Sequence, residues 1–363
     1  MKKGFVFTIH SIAGLLSGLF ILLMSLSGVL LVFHEELDSL EYPAVIAENN
    51  KGLISIDSCY RSFQKAYPYA QISNCHLAGN NSTPFIFSAY DTSFSNGTKS
   101  MQVFMHPQTG MILKTRGNGE GFMSWVDELH GSLHLGKTGE WLLGFFAVVF
   151  LLSIVTGIIM YRRNIGAVLL LRKRVFRKNN LHQIIGVYAL LFNLVIGVTG
   201  FWMQRYVFKK EFYQSYDYTP VLKTSPALFY SVDSSFKKLK EKYPAFTGYV
   251  IYFAQSKKGK TAVYGSQSSN SFIHSKKYAD AILLDSTGNV ASTRFINEID
   301  PADRYDITSS QVHFGKYGGW PVKIIYCILG LTGALLSVTG FLLWVKRRKS
   351  QLRIMLTIGQ ETK

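Results

Sequence analysis

The chain has 363 residues, 48% of them hydrophobic and only 17% charged, and 39 Lys and Arg against 22 Asp and Glu give a net charge of +17. That balance is too apolar for an ordinary soluble chain and too polar for one lying wholly within a bilayer, so membrane-spanning and water-facing regions are both expected. With only three cysteines, Cys59, Cys75 and Cys327, neither an iron–sulfur cluster nor a zinc site is expected.

The first apolar run, about residues 11–33, follows Lys2, Lys3 and His10 and ends beside His34. A basic start and an apolar core also describe a signal peptide, but this core is long, no Ala-x-Ala follows it, and a similar run recurs in mid-chain, so a retained span is expected. The polar stretch 36–135 opens with Asp57 ahead of apolar residues at helical spacing that end at Tyr67-Pro68, read as a helix N-capped by the aspartate. A strand over Gln102–His106 then meets the turn Pro107–Gly110. Cys59 and Cys75 have two open readings, a disulfide or two small buried residues. His76 and His106 are read as surface residues.

His130 and His134, four residues apart and on one side of any helix, precede the second apolar run at about 141–160. Arg162, Arg163, Arg172, Lys173, Arg174, Arg177 and Lys178 fill the link to the third run, about 183–203, which starts beside His182. The second polar stretch, 206–315, repeats the first: Asp233 heads a helix that ends at Tyr243-Pro244, and Ala281–Leu284 meets the turn Asp285–Gly288. Here Tyr213, Tyr216 and Tyr218 are candidates for a docking surface, and His274 is read as a surface residue. His313 precedes the fourth run, about 322–345, and Lys346, Arg347, Arg348 and Lys349 follow it.

The chain is thus written twice. His10 matches His182, Gly14 matches Gly186 and Gly28 matches Gly200 without a gap, and His134-Leu-Gly-Lys-Thr-Gly-Glu-Trp141 matches His313-Phe-Gly-Lys-Tyr-Gly-Gly-Trp320. Each of the latter precedes an apolar run that ends in Thr-Gly, at Thr156-Gly157 and Thr339-Gly340. A duplicated membrane unit with matched histidines at both ends of its helices points to a metal or haem held between the halves. The small residues of the runs, among them Gly18, Gly197, Gly333, Ser25, Ser27, Thr199 and Ser337, allow close helix approach or room for a flat macrocycle.

All three basic clusters fall on one side of a four-span layout, which the positive-inside rule makes the cytoplasm. The expected organisation is a transmembrane helix over 1–35, an outer domain over 36–135, a transmembrane helix over 136–163, a basic link over 164–180, a transmembrane helix over 181–205, a second outer domain over 206–315, a transmembrane helix over 316–347 and a tail over 348–363. The charge is then a topology signal and no nucleic-acid partner is expected. No phosphate-binding loop, dinucleotide fingerprint, His-Glu-x-x-His or Gly-x-Ser-x-Gly occurs, so electrons for any redox reaction must come from another molecule.

The helix-start histidines with their glycines, the Glu128-Leu129-His130-Gly-Ser-Leu133 segment, the His313-x-Gly segment and the paired hairpins resemble the PepSY-associated transmembrane helix family, the iron-regulated membrane proteins. The resemblance covers nearly the whole chain. It implies a bundle of four transmembrane helices with two α+β PepSY-like periplasmic domains, in the bacterial inner membrane with both termini cytoplasmic. It implies haem b held by histidine, two haems with bis-histidine ligation, and the activity of a ferric-siderophore reductase. Carried over, the helix-start ligands are His10 and His182 and the pre-span ligands are His130 and His313. His34 and His134 are additional to the family pattern and leave the outer pairing open, and His106 stands where the family has Asp.

Iron bound by two imidazoles has no open position, which suits electron transfer, and a second site near the outer face would complete an inside-to-outside relay. The expected partners are a ferric siderophore or other ferric chelate outside, the lipid bilayer, and either a membrane quinol near His10 and His182 or a cytoplasmic flavoprotein on the basic link. Two other classes fit the pattern less well: a haem-free PepSY binding or regulatory module, and an iron or haem transporter component.

Overall fold

The computed structural model describes residues 3–46, 52–91, 99–117, 119–171, 181–213, 228–256, 258–267 and 272–361. Tyr216, Tyr218 and the basic residues from Arg172 to Lys178 lie outside the described residues. The first half of the chain forms α1 (Lys3–Leu31), α2 (His34–Ser39), α3 (Ile56–Ala66), β1 (Ala70–His76), β2 (Phe85–Asp91), β3 (Lys99–Met105), β4 (Ile112–Gly117), α4 (Phe122–Ser132), α5 (Gly136–Tyr161) and α6 (Ile165–Leu169). The second half forms α7 (Leu181–Tyr188), α8 (Leu190–Gln204), α9 (Val232–Lys242), β5 (Phe246–Tyr252), β6 (Thr261–Gln267), β7 (Asp280–Leu284), β8 (Val290–Arg294), α10 (Pro301–Phe314) and α11 (Gly319–Glu361), with two short 3-10 turns after α8. These elements divide into a helical unit, Met1–His34, Val126–Gln214 and Val312–Lys363, and a sheet unit, Glu35–Trp125 and Ser215–Gln311. The C-terminal ends of α4 and α10 fall in the helical unit.

In the helical unit three helices are long and apolar enough to cross a membrane, over Gly4–Leu31, Gly136–Tyr161 and Gly319–Gln351. The third apolar run is divided: Leu181–Tyr188 and Leu190–Phe208 meet at a bend of 65° and make a fourth crossing if the pair is one span. The Tyr188 hydroxyl donates to the Val168 carbonyl at 3.0 Å and so fastens the end of α7 to α6. Small residues set the α1–α11 crossing. A Cβ on Gly333 would stand 2.2 Å from Ser25 Oγ and one on Gly330 2.7 Å from a Val29 methyl, and the Ser337 hydroxyl donates to the Gly18 carbonyl. Without a hydrophobic drive between helices in lipid, such close contacts supply the association energy.

The sheet unit holds one antiparallel sheet of eight strands in the order β4-β3-β2-β1-β5-β6-β7-β8. The two copies of the polar repeat are thus joined edge to edge. Asn74, Cys75 and His76 pair with Tyr252, Ile251 and Val250, and the Gln255 amide donates to the Ile72 carbonyl at 2.8 Å. Pairing the two inner edges removes the exposed strand edge that each four-stranded half would otherwise present. Helix α3 buries Cys59, Tyr60 and Phe63 against Ile72, Phe87 and Val103 of the first half-sheet, and α9 buries Leu239 against Val263, Ile282 and Leu284 of the second.

The helix caps correct the sequence reading. Ser55 caps α3 by accepting from Ser58 N, and Ser231 caps α9 by accepting from Ser234 N. The aspartates reach instead to each other's helix: Asp233 accepts from Ile56 N and Asp57 N, both at 3.0 Å, and Asp57 accepts from Val232 N at 2.8 Å. Each carboxylate therefore satisfies orphan amides at the positive end of the opposite helix.

His106 is buried rather than on the surface. Its Nδ1 accepts from Gln108 N at 3.2 Å and Thr109 N at 3.3 Å. In the second hairpin Asp285 Oδ1 does the same for Thr287 N at 2.8 Å and Asn289 N at 3.1 Å. An imidazole has replaced the turn-closing carboxylate, and Gly110 and Gly288 complete the turns at φ +69° and +79°. His76 and His274 are half-buried. Cys59 and Cys75 are fully buried free thiols; burial and the nearby Asp233 push the Cys59 thiol up to about 12.

Candidate functional site

The helical unit carries four histidines in two pairs, one on the apolar helices α1 and α7 and one on α4 and α10. His10 of α1 and His182 of α7 have ring centres 6.3 Å apart with planes at 70°. His130 of α4 and His313 of α10 have ring centres 6.4 Å apart at 52°. Each pair takes one ring from each half of the duplicated chain.

All four rings are held in the same way. His10 Nδ1 lies 3.0 Å from the Ser153 carbonyl oxygen and 3.2 Å from Thr156 Oγ1 of α5. His182 Nδ1 is 3.0 Å from Thr339 Oγ1 of α11. His130 Nδ1 is 2.8 Å from Ser27 Oγ of α1, and His313 Nδ1 is 3.0 Å from Thr199 Oγ1 of α8. Each of these hydroxyls donates its hydrogen to the carbonyl four residues earlier in its own helix, at 2.7 Å for Ser27, 2.8 Å for Thr156, 2.8 Å for Thr199 and 2.6 Å for Thr339. The hydroxyl can then only accept from the ring, and a carbonyl beside His10 can only accept as well. The hydrogen-bond network thus assigns the proton to Nδ1 in every case and leaves the Nε2 lone pair for a ligand.

A glycine follows each of these hydroxyl residues. A Cβ would meet the ring Cε1 at 3.2 Å from Gly28 to His130, 3.3 Å from Gly157 to His10, 3.0 Å from Gly200 to His313 and 3.3 Å from Gly340 to His182. Contacts that close would push the ring away, so the unit is a Ser/Thr-Gly dipeptide on one helix receiving a histidine from another, four times over.

These observations test whether the residues fit a haem iron. A metal bound at about 2.0–2.1 Å by two opposed imidazole nitrogens separates the ring centres by about 6.2–6.4 Å, and both pairs have that separation. Among the described residues no group of three or more His, Cys, Asp or Glu side chains could hold a bare metal ion. Two protein ligands per site suit an iron whose remaining ligands come with a macrocycle. A cavity of about 1340 Å³ surrounds the inner pair, bordered by Gly14, Gly186, Gly333 and Gly340, with Lys346 and Arg347 at one end. The Arg347 guanidinium stacks on Phe7 at 4.0 Å.

The family model for the PepSY-associated TM region matches residues 7–347. The chain belongs to this family. Comparison with curated proteins finds no match. In this PepSY-associated membrane protein the matched residues take in the whole antiparallel sheet and most of each membrane-length helix.

In this PepSY-associated protein the structure brings together His10 with His182 and His130 with His313. His134 sits elsewhere: it has φ 56°, outside its helix, with Nδ1 3.3 Å from Glu128 Oε2. His34 opens α2. Ser27 and Thr199, read from sequence as small packing residues, are ring acceptors, as are Thr156, Thr339 and the Ser153 carbonyl. The signal was present as a hydroxyl residue before glycine in each apolar run, but nothing in the sequence shows which histidine it faces.

Proposed function

We propose that this protein is a four-span, inner-membrane reductase with two bis-histidine haem b sites, passing electrons outward to a periplasmic ferric chelate, of which a ferric siderophore is the leading class. The observation that carries the reading is the fourfold His–Ser/Thr–Gly arrangement with its two matched ring separations. Haem iron between two neutral imidazoles supplies one-electron transfer with no open coordination position.

The chain's own residues account for the rest. The Nδ1 hydrogen bonds fix each ring's tautomer and raise the basicity of Nε2. His10 and Ser27, the residue that holds His130, are seventeen residues apart on α1, about 26 Å at 1.5 Å per residue. That covers most of a bilayer's roughly 30 Å hydrocarbon layer, so the two sites serve its opposite sides. The basic residues before α1, after α5 and late in α11 favour cytoplasmic termini and an outward sheet unit. Reducing ferric to ferrous iron weakens hard oxygen-donor chelates and releases the metal.

The test is the oxidised and dithionite-reduced visible spectrum of protein purified after expression with adequate haem, with pyridine haemochrome quantitation. The expected result is low-spin b-type bands and about two haems per chain. A featureless spectrum overturns the reading.

A further inference from the structure

Asn193 lies in α8 at 8% exposure, and its side-chain amide nitrogen has no hydrogen-bond partner. It borders the cavity that contains His10 and His182. A buried amide left unpaired is costly, and a ligand in the cavity that Asn193 borders would supply the missing acceptor. Superposing the halves by His10 and His182 pairs Asn193 with Ile21. The amide therefore has no counterpart in the first half and is not part of the repeated histidine arrangement.

We infer that this end of the cavity binds a quinone headgroup, a flat apolar ring whose carbonyl oxygens accept from the Asn193 amide. Three further observations fit this class. Ile21, Leu22, Phe150 and Leu190 line the same cavity, so an apolar ring with a carbonyl acceptor matches a lining that is largely apolar. The cavity, at about 1340 Å³, exceeds the roughly 1,000 Å³ upper range of single drug-sized ligand sites. Leu19, Val338, Phe341 and Leu342 border it and are also 70%, 46%, 54% and 58% exposed, so it reaches the lipid-facing surface of the spans. A lipid-soluble molecule has that route.

The inference rests on the haem reading for the fate of the electrons, not for binding. Oxidation of one quinol to quinone releases two electrons and two protons, which balances reduction of two ferric ions to ferrous.

The experiment uses the holoprotein in nanodiscs, with decylubiquinone binding followed by calorimetry and decylubiquinol reduction followed at the haem bands. Wild type should bind saturably. Asn193→Leu should weaken binding tenfold or more and slow reduction by quinol equally, with haem content, the dithionite-reduced spectrum and thermal stability retained. Leu22→Trp, which fills part of the same cavity from α1, should act alike. Absence of binding by wild type, or wild-type binding by both variants, overturns the inference. Protein that lacks haem yet binds decylubiquinone in an Asn193-dependent way leaves it standing and sinks only the reductase reading.

Discussion

At the scale of the residue, the Nδ1 hydrogen bond and the Nε2 lone pair of one imidazole are separable. His182→Ala removes a proposed haem ligand and should lower haem content from about two per chain to about one, measured as pyridine haemochrome. Thr339→Val keeps the ligand but removes the acceptor 3.0 Å from Nδ1. The ring then donates less electron density through Nε2, so ferric iron is less favoured, and the inner site's midpoint potential should rise in a redox titration while haem content is retained. Gly200→Val should act through space: the Cβ alone would stand 3.0 Å from His313 Cε1, and the branched side chain should displace that ring and lower the outer site's occupancy, leaving the inner site loaded. The pairing of His10 with His182 was legible in the repeat, whereas the partner of His313 was open among His34, His130 and His134. The hydroxyl partners were not legible, because a Ser or Thr before Gly in an apolar run reads as a small residue at a helix crossing until the facing helix is known.

At the scale of the element, the sheet unit depends on contacts that join one copy of the repeat to the other. Asp233→Ala leaves Ile56 N and Asp57 N without the acceptor they share, and an unsatisfied buried amide costs about 1–3 kcal/mol, so the thermal midpoint of the purified protein should fall. The sequence placed Asp57 and Asp233 at helix starts because an aspartate ahead of an amphipathic run has that meaning locally. It could not show that a second helix start lies closer than the first, which is a property of the edge pairing of β1 with β5. A different contact ties α2 to the sheet: Asp38 takes both Arg116 terminal nitrogens at 2.8 Å, and both side chains are buried. Asp38→Ala leaves the guanidinium with Glu41 at 3.7 Å and the Gln102 amide oxygen at 2.7 Å as partners, so the loss should fall below about 3–5 kcal/mol, the cost of a buried pair broken on one side. Arg116→Met alone leaves the carboxylate, and only the double change should recover most of the loss in denaturant titrations. Asp38 had no signal in the sequence, since its partner is 78 residues later.

At the scale of the whole molecule, duplication explains why every site has two contributors. Each half contributes one ring to each pair, so two imidazoles come together at both sites only when both halves are present. In the proposed relay the two sites act in series, and that predicts a different outcome from two independent haem sites in one chain. In proteoliposomes supplied with a quinol and an external impermeant ferric chelate, His182→Ala and His313→Ala should each lose ferrous formation almost completely, although each keeps about one haem per chain. Their spectra should differ: with His313 replaced, the remaining inner-site bands should still become reduced by quinol, whereas with His182 replaced the remaining outer-site bands should stay oxidised until dithionite is added. Two parallel sites would instead leave roughly half the ferrous formation in each variant, and quinol would reduce the remaining haem in both. The same comparison fixes direction, because the variant whose bands respond to quinol identifies the end of the bundle at which electrons enter.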